Sequence, residues 1–189
     1  MTNALTGRGA ARRDDVLAVA RELLVDEGLD QFVLRRIAAR AGMKLGNLQY
    51  YFATRDDLLE QVIRAEFEHD VQAIRRATTI DGLKDAALAL VRHWTTGGGA
   101  IFVTMTMLAY HHERFRRLNH EIYETFYRDL GTLIRRVAPG LDEQEIRMRA
   151  RLITSVLDGV ALQLNAGARN RRALTTRAAD LVATVALPD

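Results

Sequence analysis

The chain has no cysteine, 2 prolines and 13 glycines in 189 residues. Without cysteine there is no disulfide framework, no thiolate-ligated zinc and no thiol nucleophile. So little proline and glycine excludes a collagen-like or Pro-rich chain and argues against a turn-dense all-β one. Lysine is nearly missing too. Lys44 and Lys84 are the only two, so almost all of the 27 cationic side chains are arginine. Against 24 acidic residues they leave a formal net charge of +3, which permits nucleic-acid binding without requiring it. No apolar run reaches the ~18–20 residues of a membrane span. Residues 1–13 hold no hydrophobic stretch of the kind that opens a secretory signal. The expectation is a soluble, cytoplasmic protein with no membrane partner.

What is present is 48% hydrophobic residues, enough for a real core, spaced at three and four along almost every segment. That is the helical period, and no alternating run is long enough to argue for a sheet. The pattern predicts about nine helices, over 14–27, 34–41, 45–51, 54–77, 83–95, 101–111, 119–137, 143–166 and from Thr175 to near Leu187-Pro188. Gly28 can close the first helix in the left-handed C′ position. Thr54 and Asp57 have capping-box spacing, as do Asp142 and Glu145. Gly97-Gly98-Gly99 reads as a helix stop. The fold class is all-α. Its expected division is 1–53, short helices, and 54–189, long ones, sharing a core and not tethered by a linker.

The informative stretch is 34–52. Two short helices joined by a tight turn cross at roughly 90–120° in a helix-turn-helix. Such a crossing needs a small residue at the contact, and Ala38 supplies it. It needs a residue tolerant of positive φ four positions on, and Gly42 is there. An apolar anchor must then face inward from the second helix, and Leu48 has that register, with Ile37, Met43 and Phe52 filling the remainder. The exposed face would carry Lys44, Leu45, Gly46, Asn47, Gln49, Tyr50 and Tyr51. Asn and Gln can bond adenine bidentately, Lys can reach guanine or phosphate, and Tyr hydroxyls reach phosphate. Arg35 and Arg55 would flank the groove as backbone clamps, and Arg8, Arg12 and Arg13 would form a basic arm.

Residues 13–59 resemble the DNA-binding domain of TetR-family transcriptional regulators. The motifs carrying the resemblance are Gly28, Ile37-Ala38, Ala41-Gly42, Gly46-Asn47-Leu48-Gln49-Tyr50-Tyr51-Phe52 and Arg55-Asp56-Asp57-Leu58-Leu59, in one order and over about a quarter of the chain. There are departures. The family's frequent Thr pair before the second helix is Phe32-Val33, and Val33 can neither cap a helix nor touch phosphate through a hydroxyl. Gln49 stands at the family's usual Tyr, Tyr51 at its usual His, and Arg55 at its usual Lys.

The resemblance implies a homodimer on double-stranded palindromic DNA. It implies a larger C-terminal domain that binds a small-molecule effector and dimerises through its last two long helices. On that basis Ile153, Val156, Leu157, Gly159, Val160, Leu164, Leu181 and Val185 are the expected dimer residues. Gly159 would let a second helix approach closely. Trp94, Phe102, Met105, Tyr110, His111, Tyr123, Phe126, Tyr127 and Gln163 are the expected lining of a mainly apolar effector pocket. Repression is the sign the resemblance supplies, with activation by the same fold as the alternative.

His111-His112-Glu113 does not read as a metal site, because adjacent histidines on a helix point about 100° apart. No Gly-rich phosphate loop, zinc-protease motif or serine elbow occurs, and the one serine, Ser155, sits in an apolar helix. An enzyme is not expected, nor is a cofactor or a metal. Two rivals stand beside the ligand-responsive repressor: a constitutive dimeric DNA binder, and a helical ligand-binding protein that no longer binds DNA.

Overall fold

The structure, a computed structural model, describes residues 7–188, apart from the side chain of Arg8. The first part of the expected basic arm therefore lies outside the described residues. Among the described residues there are nine α-helices, one 3-10 turn and no strand. The chain forms two compact units, Met1–Ala65 and Glu66–Asp189.

The N-terminal unit contains α1 (Gly7–Glu27), a 3-10 turn (Leu29–Gln31), α2 (Leu34–Arg40), α3 (Leu45–Tyr51) and the first turns of α4 (Arg55–Arg76). Its core is small and dry: Val16, Ala20, Leu23, Phe32, Ile37, Leu48, Leu58 and Leu59 have no measurable exposure. α1 starts at Gly7 and not at Asp14, so Arg12 and Arg13 belong to a helix and do not form an arm. Arg13 donates to Gln61 Oε1 at 2.7 Å and lies over the Phe52 ring, tying α1 to α4. The cap at Thr54 is reciprocal. Asp57 N–H donates to Thr54 Oγ1 (3.1 Å), and Thr54 N–H donates to Asp57 Oδ2 (2.9 Å). Val33 precedes α2 without any side-chain cap, the structural cost of lacking a hydroxyl there.

The second unit holds the rest of α4 together with α5 (Ile80–Trp94), α6 (Gly98–His111), α7 (Glu113–Val137), α8 (Glu143–Asn165) and α9 (Arg171–Ala186). α5 packs on α9, α7 on α8, α6 on α7 and α8 on α9. Arg149, buried on α8, donates to Glu145 and to the carbonyls of Val185 and Leu187, stitching α8 to the end of α9.

The glycine triplet is not only a stop. Gly97 takes φ 151°, but Gly98 and Gly99 are the first turn of α6. They are there for closeness. A Cβ on Gly99 would stand 2.0 Å from the Trp94 carbonyl oxygen and 2.5 Å from Asn165 Nδ2, two atoms already hydrogen-bonded at 3.1 Å. Backbone cannot yield as a flexible side-chain tip can. Gly99→Ala should therefore cost at least the upper end of the roughly 1–3 kcal/mol typical of overpacking, read as a fall in the urea midpoint. At Gly159, by contrast, a Cβ would meet nothing within 4 Å in its own chain.

Candidate functional site

The helix-turn-helix surface expected to read DNA is built from α2, α3 and the turn between them. Gly42 takes φ 61°, the left-handed conformation that allows the sharp change of direction. Met43 N–H then bonds back to the Ala38 carbonyl at 2.9 Å. Arg12 reaches across from α1 and donates to the carbonyls of Ala41 (2.8 Å) and Gly42 (3.3 Å). The turn is thus held from outside as well as from within. Leu48 is fully buried and anchors α3, so the opposite face of that helix is presented to solvent.

On that face Lys44, Gly46, Asn47, Gln49 and Tyr50 are exposed, Tyr50 by 68%, while Leu45 and Tyr51 are half-buried. The rings of Tyr50 and Tyr51 meet edge-on at 5.3 Å, so each limits the rotamers of the other. Arg12, Met43, Lys44, Asn47, Tyr50 and Tyr51 line a single hollow at this surface. Sequence reasoning had not assigned Arg12 to it. Its link to the α2–α3 turn spans some thirty residues of chain and leaves no local signal.

The arginines flanking this surface divide. Arg35 is exposed and has no ion pair among the described residues. Arg36 and Arg40 are both engaged by Glu27. Arg55, expected as a clamp on DNA, is turned inward. Its Nε donates to the Phe32 carbonyl (2.8 Å) and its Nη2 to the Leu29 carbonyl (2.9 Å). The Leu29 carbonyl already accepts the Phe32 N–H at 3.1 Å, so this guanidinium is a second donor there and ties it to the Phe32 carbonyl. Arg55 is a brace for the turn that precedes α2.

In the second unit the expected effector residues separate into an inner and an outer set. Trp94, Phe102, Met105 and Phe126 are buried. Tyr110 is 84% exposed, and His111 and Gln163 are exposed as well, so these three do not join the buried cluster. They fall on helix faces that turn away from it.

Trp94 stacks on Phe102 at 5.7 Å and donates its indole N–H to Asp70 Oδ2 at 2.6 Å. His93 Nε2 lies 2.8 Å from Glu66 Oε1 and 3.7 Å from Asp70 Oδ1. Both carboxylates are deeply buried, and neither was singled out from sequence. The available signal was their register, since Glu66 and Asp70 interrupt the stripe of Ile63, Phe67 and Ile74 on α4.

Tyr123 donates its hydroxyl to Asp158 Oδ2 at 2.7 Å, linking α7 to α8. Burial pushes the Asp158 carboxyl up to about 6, against the smaller opposing pull of that hydrogen bond. The Tyr123 hydroxyl is raised as well, first by burial and then by the Asp158 charge. A carboxyl whose folded pKa exceeds its unfolded value of 3.8 stabilises the fold below that value, and the contribution is lost as pH rises through about 6. Asp158→Asn, which keeps an acceptor for Tyr123, should remove ~2 kcal/mol of the stability lost between pH 4 and pH 7. Paired urea titrations of the two proteins at both pH values measure this as a difference.

Of the expected dimer residues, Ile153, Leu157, Val160 and Leu164 are buried in their own unit. They are core because the long apolar face of α8 packs on α7 and α9. Val156, Gly159 and Val185 are partly exposed, and Leu181 is 48% exposed. The open apolar face of α8 carries Met148, Leu152 and Leu162 instead, each more than 40% exposed.

Residues 16–62 match the family model described as bacterial regulatory proteins, tetR family. That match, over about a quarter of the chain, ties it to the TetR family. Among its curated relatives is the HTH-type transcriptional regulator BetI 1 of Chromohalobacter salexigens, 27% identical over 83% of this chain and 80% of that one. The HTH-type transcriptional repressor KstR2 of Rhodococcus jostii is 25% identical over 75% of this chain and 69% of its own. A transcriptional regulator from Saccharomonospora viridis, solved in complex with choline, shares the fold. Its TM-score is 0.71 at 17% identity, covering 92% of this chain and 96% of the other. The chain is thus a DNA-binding transcriptional regulator. No helix among the described residues is long and apolar enough to cross a membrane. No group of three or more His, Asp or Glu side chains among them is arranged to hold a metal ion.

Proposed function

We propose that this TetR-family regulator is a homodimeric repressor that grips a palindromic operator and releases it when a small molecule enters its second unit. The observation that carries the reading is the α3 face, where Lys44, Asn47, Gln49 and Tyr50 stand exposed over a buried Leu48 anchor. A helix held this way can enter a major groove and present amide side chains to base edges.

The dimer is supported by Met148, Leu152, Leu162 and Leu181, apolar side chains left open at helical spacing on α8 and α9. Two such faces meeting about a two-fold axis give an isologous interface, and the DNA site must then be palindromic. Effector binding is supported by the Trp94–Phe102 stack beside Asp70 and Glu66, and by the choline complex of a regulator with the same fold. α4 is one unbroken helix from Arg55 to Arg76, carrying its capping box in the first unit and Glu66 and Asp70 in the second. A ligand that displaces those carboxylates moves α4, and it acts only through its differential affinity for the two positions. Repression is supported by the curated name of the KstR2 relative.

Selection of bound sequences from a random DNA pool tests the reading directly. The expected result is a palindromic consensus whose complex dissociates on adding the effector. Binding without a consensus, or a consensus with no dyad, would overturn it.

A further inference from the structure

The groove between α7 and α8 belongs to the second unit, and its chemistry points to a ligand of its own. It is a half-open hollow of about 220 Å³. Gly131 lines it and adds no side chain; a Cβ there would stand 3.3 Å from Ile146 Cγ2.

Its charged walls are unequal. Arg135 and Glu143 close one end as a bidentate pair, at 2.7 and 2.8 Å, and cancel each other. Three further guanidiniums line the hollow, those of Arg128, Arg147 and Arg151, against the single carboxylate of Glu124. Arg128 spends a donor on the neutral Thr125 hydroxyl at 3.1 Å. Arg147 and Arg151 stand four residues apart on α8, where like charges repel; Arg147 feels the Glu143 carboxylate without a close ion pair to it, and Arg151 has no ion pair among the described residues. Arg151 is already oriented, its guanidinium lying 5.5 Å from the Tyr127 ring centre. A stacked guanidinium keeps its planar fork of donors and loses little freedom on binding a matching oxyanion. Concavity concentrates the positive field of all three.

We propose that this hollow binds a small oxyanion, a carboxylate or a phosphate monoester, gripped by Arg147 and Arg151 with the Tyr127 hydroxyl as an added donor. The anion removes the repulsion along α8 and bridges α8 to Arg128 on α7. The site is separate from the Trp94 cluster and from the reading helix, so it stands whether or not the operator reading does.

Thermal-shift and calorimetric titrations of the full chain with sodium phosphate and with sodium benzoate, against sodium chloride at matched ionic strength, test it. At least one oxyanion should raise the melting temperature saturably beyond chloride. A response to phosphate alone identifies the phosphate class, and one to benzoate alone the carboxylate class. Arg147→Ala with Arg151→Ala should weaken binding at least tenfold, and Arg151→Lys by less. Arg172→Ala, on α9 and outside the hollow, should change nothing. The proposal is overturned if neither oxyanion exceeds chloride, or if Arg172→Ala weakens binding as much as the pair on α8.

Discussion

Replacing Asn47 by alanine is expected to lower affinity for the selected operator by roughly ten- to a hundredfold, the ~1–3 kcal/mol typical of a side chain that reads a base. The loss should concentrate at one base pair of each half-site, where the variant becomes indifferent to sequence. Tyr50→Ala should cost a similar factor with no such relaxation, because a phenol hydroxyl on phosphate positions the helix without reading sequence. Neither change should disturb folding. Both side chains are exposed, and the helix is anchored from its other face by Leu48. Fluorescence-anisotropy titrations against the operator and its single-base variants separate the two patterns. Unchanged affinity in both variants would remove α3 as the reading element.

A larger effect is expected from Gly159→Arg. Within its own chain a side chain at Gly159 meets no atom within 4 Å of the Cβ, so the protomer should fold as before. Gly159 nevertheless sits between Leu152 and Leu162 on the open face of α8, where the proposed partner helix would press closest. A guanidinium there would be desolvated without a counter-charge. The variant should sediment as a monomer at micromolar concentration, where the natural chain is expected to be a dimer. Operator affinity should fall on the order of 10²–10⁴-fold, because the second half-site no longer gains from the first. Leu157→Arg makes the contrast, since Leu157 is core and that change should unfold the unit. A dimeric Gly159→Arg protein would move the interface elsewhere.

The reading domain was legible from sequence because its demands are local. Gly42 must take positive φ, Ala38 must be small, and the Thr54–Asp57 cap is written in four residues. What stayed hidden depends on partners distant in the chain. Arg55 looks like a free cation until the carbonyls of Leu29 and Phe32 are seen to claim it. The start of α1 at Gly7 was missed because its first turn lacks an apolar stripe, and α9 likewise begins at Arg171, before its apolar face does. On α8 the apolar residues run most of the way round. Periodicity alone could not tell the side chains packed on α7 and α9 from Met148, Leu152 and Leu162, which are left open. The buried carboxylates of α4 break a hydrophobic stripe, a signal that aromatic content did not carry.

Glu27, at the end of α1, has an effect that reaches the solvent. By engaging Arg36 and Arg40 it withdraws two cations from the neighbourhood of the reading helix. Arg12, Arg13 and Arg55 are likewise committed within the protein. Arg35 and Lys44 are then the cations beside α2 and α3 with no ion pair among the described residues. Each phosphate neutralised by a protein cation steepens the logarithmic dependence of affinity on salt by about 0.9, through release of condensed counterions. Few free cations mean few ions released. As far as the described residues go, affinity for the proposed operator should then depend comparatively weakly on salt.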